Sequence, residues 1–210
     1  MIELATDVWI LDGHPAHTIN VYLLGDVLVD AGTPLAKRRI LRQLRGRRLA
    51  AHALTHAHPD HYGSSHAVCE ALAVPLWCGA ADVRAVEAGK VVTKGGRMVP
   101  GPHAHPVARA LHEGDEVAGF TVLDVPGHSP GHVAFWRESD RTLICGDVMF
   151  GPDQLTGNLR EPFPIMSPDP ERNRASARRL TALDPALVCF GHGSPLSDPD
   201  AFRAAVGRLG

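Results

Sequence analysis

The apolar residues fall first into short clusters and later into helical spacing. Residues 8–11, 20–24 and 27–29 are rich in β-branched and aliphatic side chains, with Gly25-Asp26 between the last two. That pattern predicts early strands joined by tight turns. Thr33-Pro34 then reads as an N-cap followed by proline at the first helical position, opening a helix that runs to about Gly46. Residues 51–55 and 74–78 predict buried strands, and between them 62–72 predicts a helix with Ala67, Val68, Ala71 and Leu72 inward.

The second half is similar in style without a sequence repeat. Strands are predicted at 120–125, 133–136, 142–145 and 187–190. A helix begins near Asp169-Pro170, and Ser197-Asp198-Pro199 opens a last one whose Phe202, Ala205, Val206 and Leu209 share a face. Strand-rich runs interleaved with amphipathic helices imply an α/β or α+β layered domain over residues 1–210. Two Gly- and Pro-bearing stretches, 79–114 and 151–168, contain little regular pattern beyond a short helix in the first. Both follow strand ends, so they are read as loops roofing a cleft.

Composition narrows the partners. Lys plus Arg number 21 against 23 Asp plus Glu, a formal charge of −2, so no basic excess invites nucleic acid. The one basic run, 37–48, alternates with Ile40, Leu41, Leu44 and Leu49 and is the solvated face of a helix. Residues 1–11 lack the pattern of a signal peptide, and no apolar run approaches membrane-spanning length. Cys69, Cys78, Cys145 and Cys189 show no CxxC pairing and read as buried reduced thiols. The expectation is a cytoplasmic protein acting on a small molecule, with neither nucleic acid nor membrane as partner.

The chemistry concentrates in Thr55-His56-Ala57-His58-Pro59-Asp60-His61. On an extended strand end His56 and His58 point to one face, because side chains repeat every two residues. Pro59 keeps His58 extended and ends the ladder, so Asp60 and His61 enter a helix N-terminus aimed back at the same space. Three later fragments each set a His or Asp beside glycine after an apolar strand: Pro126-Gly127-His128, Cys145-Gly146-Asp147 and Phe190-Gly191-His192. Polar residues at strand ends converging on one sheet edge are how layered α/β proteins build sites. Together these supply five imidazoles and two carboxylates, enough for two metals.

The ordered series His56-x-His58-x-Asp60-His61, His128, Asp147, His192 resembles the metallo-β-lactamase superfamily, and within it the glyoxalase II-like hydrolases, over about Val8 to His192. The resemblance implies an αββα sandwich with a dinuclear metal site at the sheet edge. It implies that His56, His58 and His128 hold one ion, Asp60, His61 and His192 a second, and that Asp147 bridges them. Zinc is the first choice for this ligand set, which also accepts iron or manganese. The implied reaction is attack on a carbonyl by a hydroxide shared between the ions, with Asp60 or Asp147 as catalytic carboxylates that orient it. Substrates expected from the resemblance are thioesters, activated esters or lactones. Only 18 residues follow His192, too few for the glutathione-gripping region of longer glyoxalase II enzymes. Two alternatives are a persulfide dioxygenase with one iron on His56, His128 and Asp147, and a non-catalytic binding protein that uses the same fold.

His14 and His17 in an early loop, Met98, Phe163 and Met166 in the two stretches read as a roof, and Phe150 at the entry to the second, are the candidate substrate contacts. His132 is read as supporting the site from behind. His103 and His105 have metal-like spacing, but a Pro-rich loop is a poor cage, so they are expected to be exposed and titrating. His52, His66 and His112 are read as structural or surface residues.

Overall fold

Alternation along the strands divides the core into three kinds of layer. In the computed structural model, which describes residues 1–13, 15–153 and 155–209, the chain forms β1 (Ile2–Ala5), β2 (Val8–Ile10), β3 (Tyr22–Leu24), β4 (Val27–Val29), α1 (Lys37–Gln43), β5 (Ala51–Ala53), α2 (Pro59–Tyr62), α3 (Ser65–Leu72), β6 (Leu76–Gly79), α4 (Val83–Glu87), β7 (Lys90–Thr93), β8 (Arg97–Pro100) and β9 (Val107–Leu111). There follow β10 (Glu116–Val117), β11 (Phe120–Asp124), β12 (Val133–Arg137), β13 (Thr142–Gly146), α5 (Pro170–Thr181), β14 (Leu187–Phe190) and α6 (Pro199–Gly207). One sheet has the order β1-β2-β3-β4-β5-β6-β9, antiparallel up to β4 and parallel beyond it. The other runs β10-β11-β12-β13-β14, with only the last pair parallel.

Tyr22, Leu24, Val27 and Val29 of the first sheet meet Phe120, Val122, Phe135 and Ile144 of the second in a dry interlayer. Their neighbours in sequence face outward. Leu23 and Leu28 pack under Ile40 and Leu44 of α1 and Val68 of α3, while Ala134, Leu143 and Val188 pack under Ala177, Leu180, Phe202 and Val206 of α5 and α6. The result is an αββα sandwich. Each fully buried Leu, Ile or Phe contributes on the order of 2 kcal/mol, and the period-two alternation fixes which layer receives it. No helix among the described residues is long and apolar enough to cross a membrane, and all four cysteines are free and buried.

Three expectations need correction. Thr33 caps nothing: it starts a turn in which Ala36 N–H donates to its carbonyl, its carbonyl also takes the Ser64 hydroxyl, and helix α1 begins a turn later at Lys37. The helix predicted over 62–72 is two helices, α2 and α3, broken at Gly63-Ser64, where a Cβ on Gly63 would lie 2.6 Å from Pro34. The stretch 79–114 is not an irregular loop. It holds α4, the β7–β8 hairpin and β9, which pairs with β6 as an edge strand of the larger sheet.

Candidate metal centre

The strand ends bring all seven predicted donors into one cleft. β5 delivers Thr55 and His56, α2 delivers Asp60 and His61, and the turns after β11, β13 and β14 deliver His128, Asp147 and His192. Backbone bonds draw the two sheets together at this edge: Val133 N–H donates to the Thr55 carbonyl, and Asn20 N–H to that of Gly191. The strand-end glycines are required by space. A Cβ on Gly191 would stand 2.0 Å from Asp147 Oδ1, and one on Gly127, at φ +137°, would stand 2.2 Å from the Asn173 backbone nitrogen.

Asp147 Oδ2 is the centre of the constellation. It lies 3.2 Å from His192 Nε2, 3.4 Å from His61 Nε2, 3.4 Å from His128 Nε2 and 3.9 Å from His56 Nε2. His58 Nδ1 and His128 Nε2 are 2.9 Å apart. On the other side Asp60 Oδ2 is 3.2 Å from His192 Nε2 and 3.9 Å from His61 Nε2. His56, His58 and His128 thus form one donor group, Asp60, His61 and His192 a second, and Asp147 faces both.

Partners on the far side hold four of the five rings, whereas His58 turns its Nδ1 inward to His128 Nε2. His61 Nδ1 donates to Asp30 Oδ2 at 2.8 Å, and His192 Nδ1 donates to the Thr18 carbonyl. Thr55 Oγ1 gives its proton to Asp30 Oδ2, so at 3.0 Å it accepts from His56 Nδ1. His128 Nδ1 lies 3.0 Å from Ser167 Oγ. Nδ1 of these rings is engaged outward, which turns the Nε2 lone pairs inward, the arrangement that metal-ligating histidines adopt. Buried His56 Nε2 and Asp147 Oδ1 have no hydrogen-bond partner. Buried lone pairs left without a donor fit a bound cation and are costly otherwise.

Electrostatics agree. Burial, helped by neighbouring histidines, pushes His56 well below the ordinary imidazole range and His58 to about 3. Burial works against charge at His61 and His192 as well, but the carboxylates of Asp147, Asp30 and Asp60 around His61, and of Asp147 and Asp60 around His192, outweigh it. They raise His61 well above its usual value and His192 to about 9. Asp147 stays ionised because His61 and His192 overcome its burial.

Residues 14–192 match the family model described as the metallo-beta-lactamase superfamily. The chain belongs to that superfamily. Relatives include the probable metallo-hydrolase YflN of Bacillus subtilis (strain 168), 26% identical over 87% of this chain and 80% of the relative. The hydroxyacylglutathione hydrolase of Methylococcus capsulatus is 36% identical over 62% of this chain but only 47% of its own length. Among solved structures, that of TTHA1623 in a di-iron-bound form is 30% identical, with a TM-score of 0.68, covering 97% of this chain and 96% of the other. The fold therefore holds divalent metals, and this metallo-β-lactamase-like chain carries the donor clusters to do so.

Beside the cluster opens a cavity of about 720 Å³ that reaches Asp60 and His192. Its walls include His17, Phe150, Phe163 and Met166, so four of the candidate substrate contacts are brought together. Met98 is not on its walls: it lies in β8 of the hairpin, paired across to Val92. His14 lies outside the described residues. His132 lies behind the site, its Nε2 3.3 Å from the Asp147 N–H that donates to it.

Two residues that organise the cleft carried no sequence motif. Asp30, at the end of β4 with φ 62°, binds Thr55 through its backbone and hydroxyl and orients His61. Asp82, fully buried, accepts from Ala57 N–H, Ser129 Oγ–H and Gly131 N–H, tying the His56–His58 turn to the loop that bears His128. The only available signal was an acid directly after the apolar run 27–29 or shortly after the apolar strand 76–79.

Proposed function

We propose that this chain is a dinuclear metal-dependent hydrolase of thioesters or activated esters and lactones, acting on a small molecule held in the cavity beside Asp60 and His192. The observation that carries the reading is Asp147 Oδ2 standing 3.2–3.9 Å from four imidazole nitrogens at the edge of an apolar-walled cavity. His56, His58 and His128 would hold one ion, Asp60, His61 and His192 the other, with Asp147 between. Divalent ions bound there supply Lewis acidity and lower the pKa of water to about 7.

The chain's own groups supply the rest. Asp60 is only partly buried and faces the cavity, placed to orient the attacking oxygen. Phe150, Phe163 and Met166 offer an acyl group an apolar wall that excludes water. Arg160 lies 5.6 Å over the Phe150 ring and 5.1 Å over the Phe163 ring, a cation on that wall suited to an anionic group on the substrate. His17 is half-buried and lines the cavity beside Thr18, where its ring can pack against a bound substrate.

A hydrolysis panel on metal-loaded protein tests this reading: S-lactoylglutathione, a simple acyl-thioester, a lactone, a β-lactam and an aryl phosphodiester. Thioester or lactone turnover is expected to dominate, with Arg160→Ala raising KM about tenfold for carboxylate-bearing substrates, the scale of one charge-assisted hydrogen bond. Saturable turnover of the β-lactam or phosphodiester far above every thioester and lactone would overturn it. Oxygen consumption with a persulfide by protein holding one iron would transfer the assignment to the dioxygenase.

A further inference from the structure

Away from the cleft, α3 and the segment leading into β9 bring together a second set of donors. His66 and Glu70 stand one turn apart on α3, on the face opposite buried Val68. His105 comes from the 101–106 segment, and its Nδ1 lies 3.1 Å from His66 Nδ1. One ligand atom from each of the three lies within 4.8 Å of the others. We propose that His66, Glu70 and His105 form a third cation site, sharing no residue with the cleft, for a borderline divalent ion such as zinc, cobalt, nickel or copper.

Three observations support it. First, the donor set is two imidazoles and one carboxylate, which suits zinc and its neighbours and leaves positions for water. Second, the segment is pinned on both sides, unlike a free Pro-rich loop. Gly101 N–H donates to the Gly89 carbonyl at 2.9 Å, Val107 N–H to Glu87 Oε1 at 3.2 Å, and β9 then enters the sheet. His105 is half-buried, and the His103 ring stacks on His66 with centroids 5.6 Å apart. Third, no other protein group claims the donors: the two imidazoles share one N···N contact, and the exposed Glu70 carboxylate makes no hydrogen bond or ion pair among the described residues. A divalent ion engages all three donors at once. Such an ion would clip the segment feeding β9 onto the helix that follows Asp60 and His61.

The test is zinc stoichiometry and histidine-ring NMR on untagged, full-length protein. Wild type should take up one zinc more per chain than His66→Ala/His105→Ala, in a weaker step separate from cleft filling, while thioester turnover stays the same in both. Glu70→Gln should weaken that step about tenfold or more without abolishing it. In a zinc titration of ¹⁵N-histidine-labelled wild type, the His66 and His105 ring signals should move together at that step. Equal stoichiometry in wild type and double variant overturns the site. Should the double variant fail to fold, ring signals of His66 and His105 that stay fixed through the whole titration overturn it equally.

Discussion

Asp30 and His52 show how much a single buried side chain decides in this molecule. Asp30 touches no substrate, yet both of its oxygens are spent on keeping His61 and, through Thr55, His56 in the tautomer that aims Nε2 at Asp147. Asp30→Asn should therefore lower metal affinity by roughly 10–100-fold while the fold persists, the usual effect of losing such a partner. Asp147→Ala, which removes the oxygen facing both donor groups, should lose occupancy at both positions, and metal quantitation after dialysis compares the two. An Asp147→Ala protein that keeps two tight ions and near-normal rates would remove the bridging assignment. His52 makes a different point. Its Nδ1 donates to the Leu28 carbonyl at 3.1 Å and its Nε2 accepts from Ser65 Oγ at 2.8 Å, so the ring is locked neutral, and burial lowers its pKa from 6.5 to about 4. Above pH 6.5 neither the folded nor the unfolded chain protonates it. Below 6.5 the unfolded chain takes up a proton that the folded one refuses until about pH 4, so stability drains away across that window, by about 3 kcal/mol in all. Urea unfolding of metal-free His52→Asn should lose much of this slope relative to metal-free wild type; identical slopes would show that His52 does not set it.

At the scale of elements, the structure separates the two stretches that the sequence makes look alike. The 151–168 stretch lines the cavity with Phe163 and Met166, both about half-exposed at 51% and 47%, whereas 79–114 folds into a helix, a hairpin and an edge strand. Phe163→Ala should thus raise KM several-fold with metal content unchanged, and Met98→Ala should move neither; a KM shift from Met98→Ala alone would reverse the roles of the two stretches. Their likeness in sequence has a physical cause. Glycines and prolines at 95–96, 100–102 and 106 mask the alternation of short strands, and an edge strand such as β9 has only Leu111 fully buried, so no apolar period announces it. Helices α5 and α6 are legible because their starts are written locally: Asp169 accepts from Arg172 N–H and Asp198 from Ala201 N–H, each before a proline. Thr33-Pro34 carries the same local signal, yet α1 starts a turn later, after a turn that Ala36 N–H closes on the Thr33 carbonyl and that Ser64, distant in sequence, holds by the same oxygen. The donor set is legible because its spacing is local within 56–61 and glycine-marked elsewhere. Asp30 and Asp82 escape because a lone acid becomes functional only through contacts that the tertiary fold makes.

For the whole molecule, the cleft is also where the two halves are joined, and this ties metal content to stability. His56, His58, Asp60 and His61 follow strands of the larger sheet, while His128, Asp147 and His192 follow strands of the smaller one. Some of the joint needs no metal: Tyr22 Oη–H and Asn20 Nδ2–H donate to the Phe190 carbonyl, and Asp82 spans the two loops. The rest brings Asp30, Asp60 and Asp147 near one another, a charge excess that the metal-free chain offsets only by holding protons on His61 and His192, whose raised values reflect it. A cation that replaces those protons binds the folded chain and not the unfolded one, so its binding free energy adds to stability. At a free metal concentration of about 100 times Kd the gain is about 2.7 kcal/mol for each site filled, which for a domain of this size corresponds to a Tm rise of roughly 5–10 °C per ion. Chelation should lower Tm by that order without unfolding the protein at room temperature, and zinc should restore it. Asp147→Ala should instead lose the cleft's share of this response and shift with chelator far less than wild type does. If wild type keeps its Tm after the metal has been shown to leave, the hydrogen bonds through Asp30, Asp82 and Asn20 alone hold the halves together, and the cleft would be a preformed cage whose ions contribute to chemistry but not to the fold.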